Sequence, residues 1–308
     1  MNFTKTAKTH KEQIKLLKER GLNINDPSFA EKTLSNISYY RLRAYWLTFE
    51  NTSNNSVNHS FKPNVSFEQI ITTYEFDRKL RHIVFKAIER IEIALRTKLI
   101  YHNTLNSKDN LWYSKQENFK SKNHCEAFKN IFMQEYKNSH EIFIKHYKNK
   151  YTSPELPPAW MALEILSFGQ LSLLFKNVNQ IISKKEIASY FGVHYKLLES
   201  WFEALSYIRN VCAHHSRLWN KKIPKPPIYP NRINHQWLEI EPSEDKKNRL
   251  YVILAIIDLL LNYIDKNKEF RKELFSLIDH NLEIPLHYIG FPVDWRSDSF
   301  WQNNYENI

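Results

Sequence analysis

The chain has 308 residues and a formal net charge of +11, from 44 Lys and Arg against 33 Asp and Glu. Hydrophobic residues make up 42% of it, aromatic residues 14%, and only 4 residues are Gly. These values exclude a disordered tail, a collagen-like fibre and a linker-rich array, and they predict a compact globular protein of one large domain or two small ones.

The spacing of apolar residues predicts an all-α fold. Apolar residues recur at intervals of three and four, and the chain contains neither Asn-Gly nor Asp-Gly, the usual signals of a β-hairpin. The predicted helices are, in chain order, 8–20, a short helix after Pro27, 38–46, 66–101, 125–136, 141–150, 159–176, 183–190, 195–215, 246–263 and 269–279, with a loop at 51–64 and an irregular aromatic tail at 288–301.

The longest predicted helix, 66–101, begins with a capping box, in which Ser66 is followed three residues later by Gln69. Its apolar stripe also contains Asp77 and His102. Four further charged residues share a neighbouring flank: Arg78, Glu89, Glu92 and Arg96. This flank has two interpretations, a set of solvated ion pairs between residues four positions apart or the border of a charged cleft.

No segment of the chain has the pattern of a membrane span or a secretory signal. The longest apolar stretch, Leu250–Leu261, is interrupted by Asp258 and is shorter than the roughly 20 residues that a membrane-spanning helix requires. Residues 1–20 are polar and rich in Lys. Two cysteines, Cys125 and Cys212, cannot form a disulfide framework. We expect a cytoplasmic protein with reduced thiols and no membrane partner.

Common catalytic motifs are missing from the sequence. It contains no G-x-x-x-x-G-K-[ST] or G-x-G-x-x-G loop, and neither H-E-x-x-H nor G-x-S-x-G. Cys212, His214 and His215 lie close together, but consecutive helical histidines point about 100° apart and do not face one ion easily. We therefore expect no metal and no cofactor.

The segment that best indicates chemistry is the end of the predicted helix 195–215. Arg209, Asn210, His214 and His215 lie along the margin of its apolar side. Polar side chains in such a position need hydrogen-bonding partners or a function. Arg and His at this spacing also occur by chance, so the surrounding residues have to decide between these readings.

The surrounding residues resemble a known family. Arg209–Trp219 is similar to the signature of the Abi-like abortive-infection family (AbiD/AbiF type), whose C-terminal helices form a HEPN ribonuclease-like domain. Six further segments resemble blocks of that family in the same order: 39–46, 76–81, 88–96, 158–164, 167–169 and 290–295. The resemblance implies an N-terminal helical segment at 1–50, a HEPN-like bundle with inserted helices at 65–280, and an aromatic tail at 281–308 that packs on the bundle.

The resemblance also implies a phage-defence protein that cleaves single-stranded RNA without a metal. Following the family pattern R-N-x-x-x-H, Arg209 stabilises the charged transition state, Asn210 orients the histidine and His214 transfers protons, with His215 as the weaker candidate. One such set per chain implies a homodimer, and some relatives imply a structured small RNA as a partner. Arg96 and His102 are a possible degenerate second set, with a structural histidine as the favoured interpretation.

Two basic clusters are candidate RNA-binding residues. The first contains Tyr40, Arg41 and Arg43, in a segment where aromatic side chains alternate with arginines. This composition suits base stacking and phosphate contact. In the second, Arg217, Lys221 and Lys222 follow the motif directly. The alternatives to an RNA-cleaving enzyme are a non-cleaving RNA-binding protein of the same fold and a helical interaction scaffold in which Arg209 and His214 are structural.

Overall fold

The computed structural model describes residues 2, 6–51, 59–230, 237–265 and 268–302. This part of the chain is all-α, as predicted, with isolated β-bridges but no strand. Its α-helices are α1 (His10–Glu19), α2 (Pro27–Asn36), α3 (Tyr39–Trp46), α4 (Phe67–Ser107), α5 (Lys122–Asn138), α6 (Ile142–Lys150), α7 (Ala159–Ala162), α8 (Phe168–Asn177), α9 (Ile181–Tyr190), α10 (Tyr195–Ala213), α11 (Leu250–Ile264), α12 (Glu269–Asp279) and α13 (Ser299–Gln302).

Helix α4 is the centre of the fold. The predicted capping box is present: the Ser66 hydroxyl accepts a hydrogen bond from the backbone N–H of Gln69, and the Gln69 side-chain oxygen accepts one from the backbone N–H of Ser66. The helix runs for 41 residues and packs against α3, α8, α9, α10, α11 and α12. Its buried stripe brings the start of the chain, the motif helix α10 and the C-terminal helices onto one scaffold.

The single helix predicted at 159–176 is wrong, because the chain is interrupted in the middle of it. Helix α7 ends in a 3₁₀ turn, Leu163–Ile165, and α8 starts anew after Ser167, which forms a second capping box with Gln170. Arg96 explains the break: its guanidinium donates to the carbonyl oxygens of Leu163 and Leu166, at 3.1 and 3.0 Å. In a continuous helix, backbone N–H groups would donate to these two carbonyl oxygens; here the Arg96 side chain of α4 donates to them instead.

One cluster of buried side chains extends from Ile14 in α1 to Trp301 in α13. In the aromatic tail, the Trp301 indole donates to the Tyr251 hydroxyl at 3.0 Å. Beside it, Arg271 and Asp258 form a buried ion pair between α12 and α11. The N-terminal segment, the bundle and the tail all contribute to this cluster; the predicted boundaries between them stay a prediction. In the described residues, no helix is both long and apolar enough to cross a membrane.

Candidate nucleic-acid site at the end of α10

Helix α10 ends two residues earlier than predicted, and the two histidines follow it. His214 is the C-terminal cap, and His215 adopts a left-handed conformation with φ of 54°. The amide of His215 donates to the Cys212 carbonyl at 3.0 Å, and the amide of Ser216 donates to the Val211 carbonyl at 2.9 Å. This is the pair of hydrogen bonds that closes a helix in a Schellman motif, here with His at the position that Gly usually occupies.

A buried carboxylate on α4 holds the segment that follows. Asp77 is fully buried, and its oxygens accept hydrogen bonds from the backbone amides of Leu218 and Trp219, at 3.1 and 2.7 Å. The same carboxylate accepts from the Tyr45 hydroxyl at 2.7 Å and pairs with Arg81. Residues 214–219 are therefore fixed between α3 and α4 rather than free to move as a surface loop.

Beside this segment lies the motif cleft, an open cavity of about 580 Å³. It is lined by Arg41 of α3, by Tyr74, Arg78, Arg81, His82 and Phe85 of α4, and by Cys212, Ala213 and His215. The Arg41 guanidinium donates to the His215 carbonyl, which joins α3 to the end of α10. The charged groups in the lining are all arginines. Arg81 is paired with the buried Asp77 and Arg78 only with the exposed Glu75, which leaves Arg41 and Arg78 as the cations that an anion can reach.

The outer side of α10 is the part of its surface that faces away from the core, and it carries the remaining motif residues. Asn210 and His214 are exposed, and Arg209 is half-buried with its guanidinium 5.7 Å from the Phe85 ring centre. Arg209 Nε is 3.7 Å from the Glu92 carboxylate. The Asn210 side chain accepts a long hydrogen bond of 3.5 Å from Arg209. Among the described residues, Asn210 and His214 are joined by a backbone hydrogen bond of 3.0 Å, not by the side-chain contact that the motif suggests.

Of the two predicted interpretations of the charged flank of α4, solvated ion pairs do not describe Glu92 and Arg96, whereas Arg78 does line the motif cleft. Glu92 and Arg96 form the expected ion pair at 3.0 Å, but with side-chain exposures of only 12% and 14% they are not solvated. Burial raises the pKa of Glu92, and the neighbouring Arg96 and Arg209 oppose this rise. Glu92 is thus the link between the structural Arg96 and the motif Arg209. His102 pairs with Glu186 at 3.0 Å, in agreement with a structural histidine.

Of the candidate RNA-binding residues, only Arg41 lines the motif cleft. Tyr40, which precedes it in α3, is 81% exposed. Arg43 points elsewhere and lies 3.3 Å from the His59 ring.

Beyond the motif, Arg217 donates to the Trp219 carbonyl and Lys221 lies 6.0 Å from the Tyr207 ring centre. Lys222 is exposed. None of these three belongs to the cleft lining described above.

Two cleft residues were missed as candidates from the sequence, Arg81 and His82; Arg78 belongs to the flank for which a charged cleft was one of the two interpretations. One signal was available, since a lone Asp77 in an apolar stripe with Arg81 four residues later indicates a buried pair. Burial raises the pKa of the Cys212 thiol to about 12, which disfavours the reactive thiolate form. The described residues contain no cluster of His, Cys, Asp and Glu suited to a metal ion.

A comparison with family models decides the family. The model described as Abi-like protein matches residues 32–220, which is more than half of the chain. The chain belongs to the Abi-like family. Membership assigns it to abortive infection, a form of phage defence. No curated protein and no solved structure gave a significant match.

The Abi-like match includes the whole site. It extends from α2 through α10 to Asn220, so it contains α3, α4, the motif and every residue that lines the cleft. It also contains Asp77 and the two backbone amides that Asp77 accepts from. The C-terminal helices α11 to α13 lie outside the match; of these, α11 packs against α4 and α10, and α12 packs against α4.

Proposed function

We propose that this Abi-like protein is a metal-independent endoribonuclease of the HEPN type that acts on single-stranded RNA. The observation that supports it best is that the Arg209 guanidinium lies 5.7 Å from the ring centre of Phe85, which lines the arginine-rich motif cleft, while the exposed His214 directly precedes His215 of the same lining. An imidazole and a guanidinium are the groups that transfer protons and stabilise a charged phosphorane at neutral pH.

In the proposed reaction, the ribose 2′-oxygen attacks the adjacent phosphorus and the bond from phosphorus to the 5′-oxygen breaks. The products are a 2′,3′-cyclic phosphate and a free 5′-hydroxyl. A neutral His214 accepts the proton of the 2′-hydroxyl, and a protonated histidine donates a proton to the leaving 5′-oxygen. Arg209 exchanges its 3.7 Å contact with Glu92 for the non-bridging oxygens of the phosphate.

The reaction needs one histidine as the base and another as the acid. Two chains that bring their motifs together would supply both, and we therefore infer a homodimer. Helix α4 carries exposed apolar side chains that continue from Glu92, the partner of Arg209: Ile93, Tyr101 and Leu105 are 51%, 59% and 57% exposed. Apolar side chains exposed along one helix are typical of a protein–protein interface. A second copy on this surface would lie beside the outer side of α10.

Replacing Tyr101 and Leu105 together with Asp is expected to convert the dimer to a monomer of 37.1 kDa and to abolish cleavage. Two buried charges at an interface without partners cost more than such an interface gains. Light scattering after size exclusion gives the mass. The matched control is Ile142→Asp, which changes an exposed residue of α6. A wild-type protein that is monomeric at micromolar concentration contradicts the dimer.

The alternative function, an RNA-binding protein that does not cleave, has one observation in its favour. Arg209 is engaged by Glu92 and by Asn210 in this conformation, which leaves its charge partly neutralised. A structured RNA could then bind the motif cleft through Arg41 and Arg78 alone.

The experiment that tests the proposal is incubation of an end-labelled pool of single-stranded RNA with the purified protein in EDTA. The proposal predicts cleavage with 2′,3′-cyclic phosphate ends, and Arg209→Ala is expected to remove it. His146→Ala, a change of an exposed histidine on α6, is the control and is expected to cleave normally. Absence of cleavage together with a discrete copurifying RNA favours the non-cleaving alternative.

A further inference from the structure

A second groove lies next to the motif cleft, between α4 and α12. It has a volume of about 680 Å³. Lys79, His82 and Ile83 of α4 form one wall, and Lys272 and Leu277 of α12 belong to the other. His82 also lines the motif cleft, so the two depressions meet at this residue. We call it the α4–α12 groove.

The lining of the α4–α12 groove contains more positive than negative side chains. Its single carboxylate, Glu273, is 2.9 Å from Lys86 Nζ, which also contacts Glu269 at 2.6 Å. Lys79 and Lys272 are exposed and form no ion pair with any residue that the structure describes. Because Lys86 pairs with two carboxylates, these five side chains carry a net charge of +1, and Lys79 and Lys272 are the cations available to an anion from solvent.

The groove also offers apolar surface between its two lysines. Ile83 and Leu277 form part of the lining. Lys79, Ile83 and Lys86 follow one face of α4 at intervals of four and three residues, over about 10 Å of helix axis. Phosphate-binding cations on both sides of an apolar floor match a single strand of nucleic acid, whose bases and phosphates require both kinds of contact.

We propose that the α4–α12 groove binds the stretch of single-stranded RNA that flanks the cleaved phosphate. In this arrangement, Lys79 and Lys272 contact two backbone phosphates and a base lies over the partly exposed Ile83, with the buried Leu277 beneath the groove. The strand passes His82 into the motif cleft, where Arg41 and Arg78 contact the next phosphates. The inference rests on the proposed function, because it gives that RNA substrate a second binding site.

The test is the affinity of the full-length protein for single-stranded RNA of about 4 and about 16 nucleotides, measured by fluorescence anisotropy over a range of salt concentrations. Every 2′-hydroxyl of the probe is methylated, so that the protein cannot cleave it. The variant is Lys79→Gln with Lys272→Gln. Two lost phosphate contacts are expected to weaken binding of the long RNA and to reduce the slope of log K against log salt by about 1.4. Affinity for the short RNA is expected to stay within about twofold of wild type.

The matched control is Lys129→Gln with Lys145→Gln, which removes the same charge from exposed positions of α5 and α6. The control is expected to keep the wild-type slope. A groove variant with the wild-type slope and affinity for the long RNA overturns the inference and leaves the proposed function standing. A wild-type protein that binds neither RNA at low salt overturns the proposed function and the groove together.

Discussion

Replacing His214 with Ala is expected to lower the rate of RNA cleavage by about 10²–10⁴-fold, the usual contribution of a positioned acid or base. His214 is exposed after the last turn of α10, and it contributes to folding through its backbone amide, which donates to the Asn210 carbonyl at 3.0 Å. Alanine retains that amide. The variant is therefore expected to fold normally, to dimerise and to bind RNA with unchanged affinity.

His215 provides the comparison. It lines the motif cleft, and its carbonyl accepts from Arg41. Its φ of 54° makes Asn the suitable replacement, because Asn tolerates the left-handed conformation. His215→Asn is expected to weaken RNA binding more than it slows the bound reaction. Single-turnover rates and affinities for both variants separate these effects, and an unchanged single-turnover rate for His214→Ala contradicts its assigned role.

Replacing Asp77 with Ala is expected to lower the free energy of unfolding by about 3–5 kcal/mol. The change leaves Arg81 buried without its carboxylate and leaves the amides of Leu218 and Trp219 without their acceptor. Asp77→Asn keeps an acceptor oxygen for those amides but loses the charge, so we expect an intermediate value. Urea denaturation followed by circular dichroism measures all three proteins.

The control for Asp77 is Glu75→Ala, two residues earlier on α4. Glu75 pairs with Arg78 at 2.7 Å, with both side chains well exposed. An exposed pair contributes only about 0–1 kcal/mol, so this variant is expected to unfold close to the wild-type midpoint. An Asp77→Ala protein with the stability of Glu75→Ala would show that the buried carboxylate does not anchor residues 214–219.

Local signals in the sequence were sufficient for most of the helices. Capping residues and apolar periodicity are properties of neighbouring positions, and they placed the start of α4 at Ser66 and the bounds of α12 at 269–279. The prediction of one helix at 159–176 overlooked the capping pattern of Ser167 and Gln170, the same pattern that placed the start of α4. The break also depends on Arg96, which lies 67 and 70 residues from the carbonyl groups that it binds. No local pattern contains such a contact.

The same distinction applies to the candidate site. The motif residues of α10 are adjacent in sequence, so their proximity was predictable. The anchoring of that motif was not, because Asp77 and Leu218 are 141 positions apart and the lone charge in the apolar stripe of α4 does not reveal its partner. The left-handed conformation of His215 was also unexpected, since Gly is the usual residue there.

Two RNA oligonucleotides that differ in a single oxygen show directly whether the 2′-hydroxyl is the nucleophile. One is all-ribose, and the other has a 2′-deoxyribose immediately 5′ of the mapped cleavage site. Single-turnover cleavage in EDTA is predicted to convert the first to a 2′,3′-cyclic phosphate and to leave the second intact, while both bind equally well. Cleavage of the deoxy-substituted strand at a comparable rate would contradict attack by the 2′-hydroxyl and with it the proposed ribonuclease mechanism.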